Sequence, residues 1–436
     1  MNYLIYDFGE ASEHAVKLAR DGNSVRYFTP FAGVSPQFVN YSLGLGLEKI
    51  EKVKDFFDNI DWADVIMFPD VQAADLAGYL KHKGYNVFGS DSAGAKLEQT
   101  RFETRQLQYR LGIPTQKTIK VNGVEGIRKY LFGELQRGDF EFIEGQEGIR
   151  EFLKQKGDVF IKLDRFRGDI ESFYAKDYDS VEMILDKIEM DLGPFKDAYH
   201  FIIEEKLEGI EPGFDLFFNG TEFLKPYLWG YEYHKGVYIG IYTDEMPYPL
   251  RFIADKLAPY LKKINYRGAL SIEAIIDKKG RPFLIDICAR FPYPLSLIFT
   301  ESLKNYSEII NGISQGINPL KLDVAGKYIG CLPVKSAYYN EYWEKLSFDP
   351  KLRIGNPSIK LQENAFINGN YYSVKGANDI VATFVSYGDT IDEVVNKLYD
   401  ISEKFDCHGL NSVAKGELEK IQKEVIREGN KKGLTF

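Results

Sequence analysis

Cysteine is scarce in this chain: Cys288, Cys331 and Cys407 are the only three among 436 residues. They lie far apart and match neither a disulfide framework nor the paired spacing of a zinc site, which fits a reducing compartment. Basic charge is in deficit. With 55 Lys and Arg against 64 Asp and Glu the net charge is −9, so a nucleic-acid backbone finds no basic face and any polyanion must be met by a local cluster. Long apolar runs are missing as well. No stretch reaches the roughly 18 residues of a membrane span, and Met1 to Asp7 enters a strand-like run without the basic-then-apolar layout of an export leader. The expected setting is the cytoplasm, with neither membrane nor nucleic-acid partners and with a monomer or homodimer as the assembly. No internal repeat, low-complexity tract or long linker interrupts the chain.

What is present is a large globular composition. Hydrophobic residues make up 44% and aromatics 14%, enough for a chain folded throughout, and the length calls for two to four packed units. The first hundred residues alternate apolar runs (Tyr3 to Tyr6, Val25 to Phe28, Val65 to Phe68, Val87 to Gly89) with helical patterns over Ala11 to Arg20 and Gln72 to Lys83. That rhythm predicts a parallel sheet. A long amphipathic stretch, Ala93 to Leu111, ends at Gly112-Ile113-Pro114. Further on, strands are expected at Val159 to Leu163, Phe201 to Leu207, Phe214 to Phe218 and Gly236 to Tyr242, with a helix over Leu250 to Lys263. A strand from Ile380 to Val385 and a helix from Thr390 to Phe405 close the chain. The expectation is an α/β and α+β multidomain protein, divided as 1–100, 101–325 and 326–436, with a small lobe at about 117–203.

The densest signal is a hairpin from Gly268 to Arg290, with Lys278-Lys279-Gly280-Arg281 as its turn. If Asp277 pairs with Pro282, Glu273 lies opposite Asp286. Alternation then puts Asp286 and Cys288 on the face of Glu273, and Ala274, Ile276, Phe283, Ile285 and Ile287 on the apolar one. Like charges directly across a hairpin are destabilising and call for solvent, a basic side chain or a bound cation. Hard oxygen ligands favour Mg²⁺ or Mn²⁺ over zinc; a lone thiol such as Cys288 is more often small core filling. An ordinary solvated hairpin face is the alternative.

Two other polar groupings stand out. Lys162 interrupts an apolar strand, and Arg165, Arg167 and Gly168 follow at once, a combination suited to phosphates or to an exposed sheet edge. The run Ile202 to Glu211 is a strand ending in a glycine turn with acids at both ends. It can offer backbone groups to an adenine and Glu211 to a ribose, or it is a charged strand end.

Read in order, these segments resemble the ATP-grasp superfamily, and within it the glycinamide ribonucleotide synthetase (phosphoribosylamine–glycine ligase) branch. The likeness runs through Glu13-His14-Ala15, Phe68-Pro69-Asp70, Phe88-Gly89-Ser90, Leu97-Glu98, Thr100-Arg101 and Gly112-Ile113-Pro114-Thr115. It continues through Lys162, Glu204 to Leu207 with Glu211, the hairpin, and Gly388-Asp389-Thr390. The resemblance implies an ATP-grasp fold with an N-terminal parallel-sheet domain, a mobile lobe and a small C-terminal domain. It implies that Arg101, Lys162 and Arg167 meet ATP phosphates, and that Glu204, Glu205, Lys206, Leu207 and Glu211 hold the nucleoside. Glu273, Asp286 and Cys288 take the metal positions, with Cys288 where the superfamily has Asn. Arg290 sits near the transferred phosphate and, with Lys162, serves catalysis. The implied reaction is ADP-forming: a carboxylate becomes an acyl phosphate and an amine attacks it. Ser12, Asp7 and Glu10 depart from the branch near the N-terminal loop, and negative charge there disfavours a sugar-phosphate amine. The alternatives are the purine-pathway ligase itself, ligation to a thiol, and a nucleotide-binding protein without catalysis.

Overall fold

The computed structural model describes residues 1–30, 42–165, 172–233, 236–336, 343–373, 380–407, 410–413 and 415–436. Five strands open the chain: β1 (Asn2–Tyr6), β2 (Ser24–Phe28), β3 (Ile50–Lys52), β4 (Val65–Met67) and β5 (Val87–Phe88). They form a parallel sheet in the order β3-β2-β1-β4-β5. Tyr3, Leu4 and Ile5 in the central strand are fully buried, as expected of a strand covered on both faces.

The expected long helix before Gly112 is two helices, Ser92–Gln99 and Arg101–Arg110, broken at Thr100. Tertiary bonds override the pattern here. Thr100 turns its hydroxyl back to Lys96 O, while the N–H groups of Arg101 and Phe102 go to Asp164 O and Oδ1. Gly112, at φ +72°, ends the second helix in the left-handed region where glycine carries no penalty.

A lobe follows, with β6 (Thr118–Asn122), β7 (Phe140–Phe142), β8 (Val159–Leu163), β9 (Ser172–Ala175) and β10 (His200–Glu205) in the antiparallel order β7-β6-β10-β8-β9. Alternate residues Ile119, Val121, Ile161, Leu163, Phe201 and Ile203 turn inward against the helices Gly123–Phe132 and Glu182–Leu192.

Next come β11 (Gly209–Ile210), β12 (Pro212–Asn219), β13 (Tyr227–Tyr233), β14 (Val237–Thr243), β15 (Arg267–Asp277) and β16 (Pro282–Cys288). They belong to a sheet of ten strands among the described residues, and it crosses residue 325 because β14 pairs with a strand at Tyr328–Ser336. One face buries Phe214, Trp229, Ile239, Ile272 and Ile287 against Leu250, Ile253 and Leu257 of the helix Tyr248–Lys263. Truncating one of these to Ala costs about 2 to 5 kcal/mol.

The hairpin departs from simple pairing in one respect. Glu273 does face Asp286, but a bulge between Glu273 and Ala274 sets Ala274 against Leu284 and Ile276 against Pro282. The extra residue, Ile285, has no partner in the ladder. Leu284 therefore joins Ala274, Ile276 and Ile287 in the core, whereas Ile285 is half-buried and Phe283 belongs to a cleft on the opposite side. The expected apolar face is corrected at those two residues.

Candidate active site

The other face of the large sheet carries the acids, and its rows follow from register. Glu273 pairs with Asp286 and Gly213, Gly213 with Gly230, and Gly230 with Gly240. This row crosses five strands and three of its five members have no side chain, so it forms a trough. In the next row Asp215 pairs with Ser271, which pairs with Cys288. On the other side Glu232 faces Tyr238. Glu211 alternates onto the face of Gly213 and Asp215. A cavity of about 430 Å³ lies over the trough, with Glu211, Asp215, Glu232 and Glu273 in its wall.

Asp215 is buried, Glu273 and Asp286 are half-buried and Glu211 and Glu232 are exposed; carboxylates crowded together raise one another's pKa. Burial first, then the charges of Asp286, Glu232 and Glu211, push Glu273 up to about 8. Desolvation, with the charges of Asp215 and Glu211, raises Glu232 against a hydrogen bond from Gly236 N–H at 2.7 Å, and its exposure to solvent limits that rise. Burial lifts Asp215 to about 6, opposed by Ser271 and Tyr238. Glu211 is raised by burial and lowered by Lys162. A set of this kind holds protons or cations at neutral pH.

Lys162 on β8 faces this set from the lobe. Its ammonium is 3.4 Å from Glu204, and its charge lowers both Glu211 and Glu273. Glu204 is buried at the end of β10 and is held by Arg105 as well as Lys162. Burial alone would raise its carboxyl, yet the Arg105 and Lys162 charges bring it down to about 2. Arg105 donates to Glu204 at 2.5 Å and also to the carbonyls of Leu284 and Ile285, tying lobe to hairpin. Sequence reading missed Arg105, although it lies one helical turn beyond Arg101. It missed Asp215 and Glu232 too; each is a lone acid in an apolar or aromatic strand, which is the signal that reveals them.

The remaining expected residues divide. Arg101 is buried, donates from Nη1 to Leu163 O at 2.7 Å, and has an Nε with no partner among the described residues, a donor available to a phosphate. Arg167 lies outside the described residues. β10 ends at Glu205, and Lys206 to Glu208 bridge to β11 between the two sheets. Glu205 pairs with Lys117 at 2.6 Å, and Lys206 pairs with Asp158 at 3.2 Å. Leu207 lines a cleft of about 700 Å³ with Ile113 and Phe283. Arg290 is buried and turned toward the N-terminal region, with Nε 3.2 Å from Glu98 and 3.9 Å from Asp70. Glu13 and His14 have structural partners. Glu13 is ion-paired with Arg353 and accepts from Leu361 N, while His14 meets Tyr306 at 2.6 Å and Ser296 at 3.0 Å.

Glu273 and Asp286 are facing hard-oxygen donors. Mg²⁺ is commonly held by one or two carboxylates together with substrate phosphates, so this pair fits the ion. Cys288 is half-buried in the adjacent row and offers only a thiol. Among the described residues, no three His, Cys, Asp or Glu side chains are arranged to hold a metal.

This architecture, two sheets hinged over a carboxylate hairpin and preceded by a parallel-sheet domain, is the ATP-grasp fold. The structure resembles phosphoribosylamine–glycine ligase from Thermotoga maritima, with a TM-score of 0.68 and 17% identity, covering 94% of this chain and 98% of that one. It also resembles the biotin carboxylase domain of Hydrogenobacter thermophilus 2-oxoglutarate carboxylase, solved with MgADP and bicarbonate, at TM-score 0.67 and 13% identity over 98% and 95% of the two chains. N5-carboxyaminoimidazole ribonucleotide synthetase from Thermotoga maritima gives 0.59 and 13%, over 93% and 99%. In sequence, 91 residues are 28% identical to phosphoribosylamine–glycine ligase of Nostoc sp.; they span 21% of this chain and 21% of that relative. No protein-family model matches the chain. Among the described residues, no helix is long and apolar enough to cross a membrane.

Proposed function

We propose that the protein is an ATP-dependent, ADP-forming ligase that activates a carboxylate as an acyl phosphate and joins it to an amine. The observation that carries this reading is the Glu273–Asp286 pair, two facing, half-buried carboxylates with the Lys162 charge acting on Glu273. The full-length likeness to phosphoribosylamine–glycine ligase and to a nucleotide-bound biotin carboxylase domain supports it. In this reading the nucleoside rests at the hinge formed by Lys206 to Glu208, and Arg101 and Lys162 receive the phosphates. Glu273 and Asp286 would hold Mg²⁺, which when bound would supply charge neutralisation for phosphoryl transfer. Arg105 fixes Glu204 and hence the position of Lys162. The lobe at about 117–203 closes over the cleft and keeps water from the acyl phosphate. Arg290, clamped by Glu98 and Asp70, acts as a positioning residue at the join between the parallel-sheet region and the hairpin.

The test is ADP release from Mg²⁺ and ATP with pools of carboxylic acids and amines, using Asp286→Ala as the blank. The expected result is release that depends on one acid and is lost in Asp286→Ala and Glu273→Ala. Release from an intact Asp286→Ala enzyme at the normal rate would refute the hairpin's role, and nucleotide binding without release in any pool would favour a non-catalytic protein. Phosphoribosylamine–glycine ligation is a second reading, favoured by the 91-residue match. Turnover of that substrate pair at about 1 to 100 per second would establish it.

A further inference from the structure

The acids in the cavity outnumber those that a metal bridge uses. Glu273 and Asp286 form the metal-side pair, and Lys162 acts on Glu273 and Glu211. Asp215, buried in the trough, and Glu232, exposed near the end of β13, interact with Ser271, Tyr238, Gly236 N–H and other carboxylates, and no basic group contributes to either. Among the described residues, the cavity wall contains no lysine, arginine or histidine.

Two further observations bear on Asp215 and its surroundings. Asp215 is 4% exposed and Tyr238 1%; the phenol and Ser271 lie near enough to lower the Asp215 carboxyl, yet among the described residues neither Asp215 Oδ1 nor the Tyr238 hydroxyl has a partner in full hydrogen-bond geometry. Both residues line the cavity. A polar atom left unpaired in the interior is costly unless something visits it. The backbone is also shaped around Tyr238. A Cβ on Gly230 would lie 2.8 Å from its Cζ, and one on Gly240 would lie 2.5 Å from its Cε1. Two facing glycines on adjacent strands thus make the seat for one phenol, which brings its oxygen beside Asp215. Leu295 adds an apolar patch to the same wall.

Resting on the ligase reading, we propose that the amine substrate is a small aliphatic amine with a second, protonated amino group, which the buried Asp215 and Tyr238 and the exposed Glu232 bind in the cavity. The ammonium meets two carboxylates and the phenol oxygen, and Leu295 covers the methylene stem. An amine carrying a phosphate or carboxylate is repelled by the same wall.

Calorimetric titration of the full-length protein with 1,4-diaminobutane tests this, with no nucleotide present and a chelator removing divalent metal. Butylamine, glycine and inorganic phosphate serve as comparison ligands. The diamine is expected to bind at least about tenfold more tightly than butylamine, a difference of one ammonium contact. Glycine and phosphate give no heat. Asp215→Asn and Glu232→Gln each weaken the diamine about tenfold or more. Tyr238→Phe weakens it about threefold while keeping the melting temperature, which separates lost recognition from lost folding. Equal binding of mono- and diamine, or variants that bind the diamine as the wild type does, would overturn the proposal. So would chelator-free experiments in which Mg²⁺ alone occupies the cavity and Asp215→Asn abolishes it. The ligase reading fails separately: diamine binding without ADP release in any acid pool refutes the ligase and retains the ammonium site, whereas ADP release driven only by an anionic amine does the reverse.

Discussion

Glu273 holds a proton that ordinary glutamates release well below neutrality. With its carboxyl pushed up to about 8, the folded chain binds a proton near neutral pH that the unfolded chain has already lost. Stability therefore falls as pH rises through this range. Other shifted groups act elsewhere. His14, lowered from 6.5 to about 3, contributes stability that is lost only as pH falls below 6.5, and Glu204, at about 2, contributes stability lost only below its usual 4.5. Lys52, lowered to about 8, stays largely charged up to about pH 7.5. Denaturant unfolding between about pH 6.5 and 7.5 should thus show a loss on the order of 1 kcal/mol per pH unit, largely removed in Glu273→Gln. Stability that rises with pH over that unit would mean that the acids are not crowded as described.

At the scale of elements, the site depends on a row of glycines as much as on its acids. Gly240→Ala places a methyl 2.5 Å from the Tyr238 ring, whereas a methyl at Gly213 would meet only Ile272 O, at 3.4 Å. Gly240→Ala is expected to cost about 1 to 3 kcal/mol by overpacking, and Gly213→Ala to leave stability within about 0.5 kcal/mol. Equal losses in thermal unfolding would argue against a trough shaped around Tyr238. The sequence made the regular parts of this level readable. Val159 to Leu163 has strand composition and is a strand, and the Glu273–Asp286 pairing follows from alternation and a short turn. Three features were not readable because their causes are not local. The break at Thr100 comes from bonds to Asp164, 64 residues on. The bulge that frees Ile285 leaves no mark in composition. β13, with its Trp-Gly-Tyr-Glu core, lacks the apolar run by which strands are recognised. The same holds for Arg290, whose neighbours Glu98 and Asp70 come from elements distant in the chain.

Across the whole molecule, the parallel-sheet region is fastened to the C-terminal region by the buried Glu13–Arg353 pair and to the hairpin by Arg290. The lobe meets the large sheet at the Arg105–Glu204–Lys162 cluster and at the bridge Lys206 to Glu208. This fastening places the carboxylate hairpin where the lobe and the large sheet meet. The central claim is that the hairpin holds Mg²⁺ against ATP phosphates. The most direct measurement is the affinity for ATP with and without Mg²⁺, in the wild type and in Asp286→Asn. The expected result is ATP bound at least about tenfold more tightly with Mg²⁺, and a gain that disappears in Asp286→Asn while metal-free binding persists. Equal affinity with and without Mg²⁺, or an undiminished gain in Asp286→Asn, would contradict it.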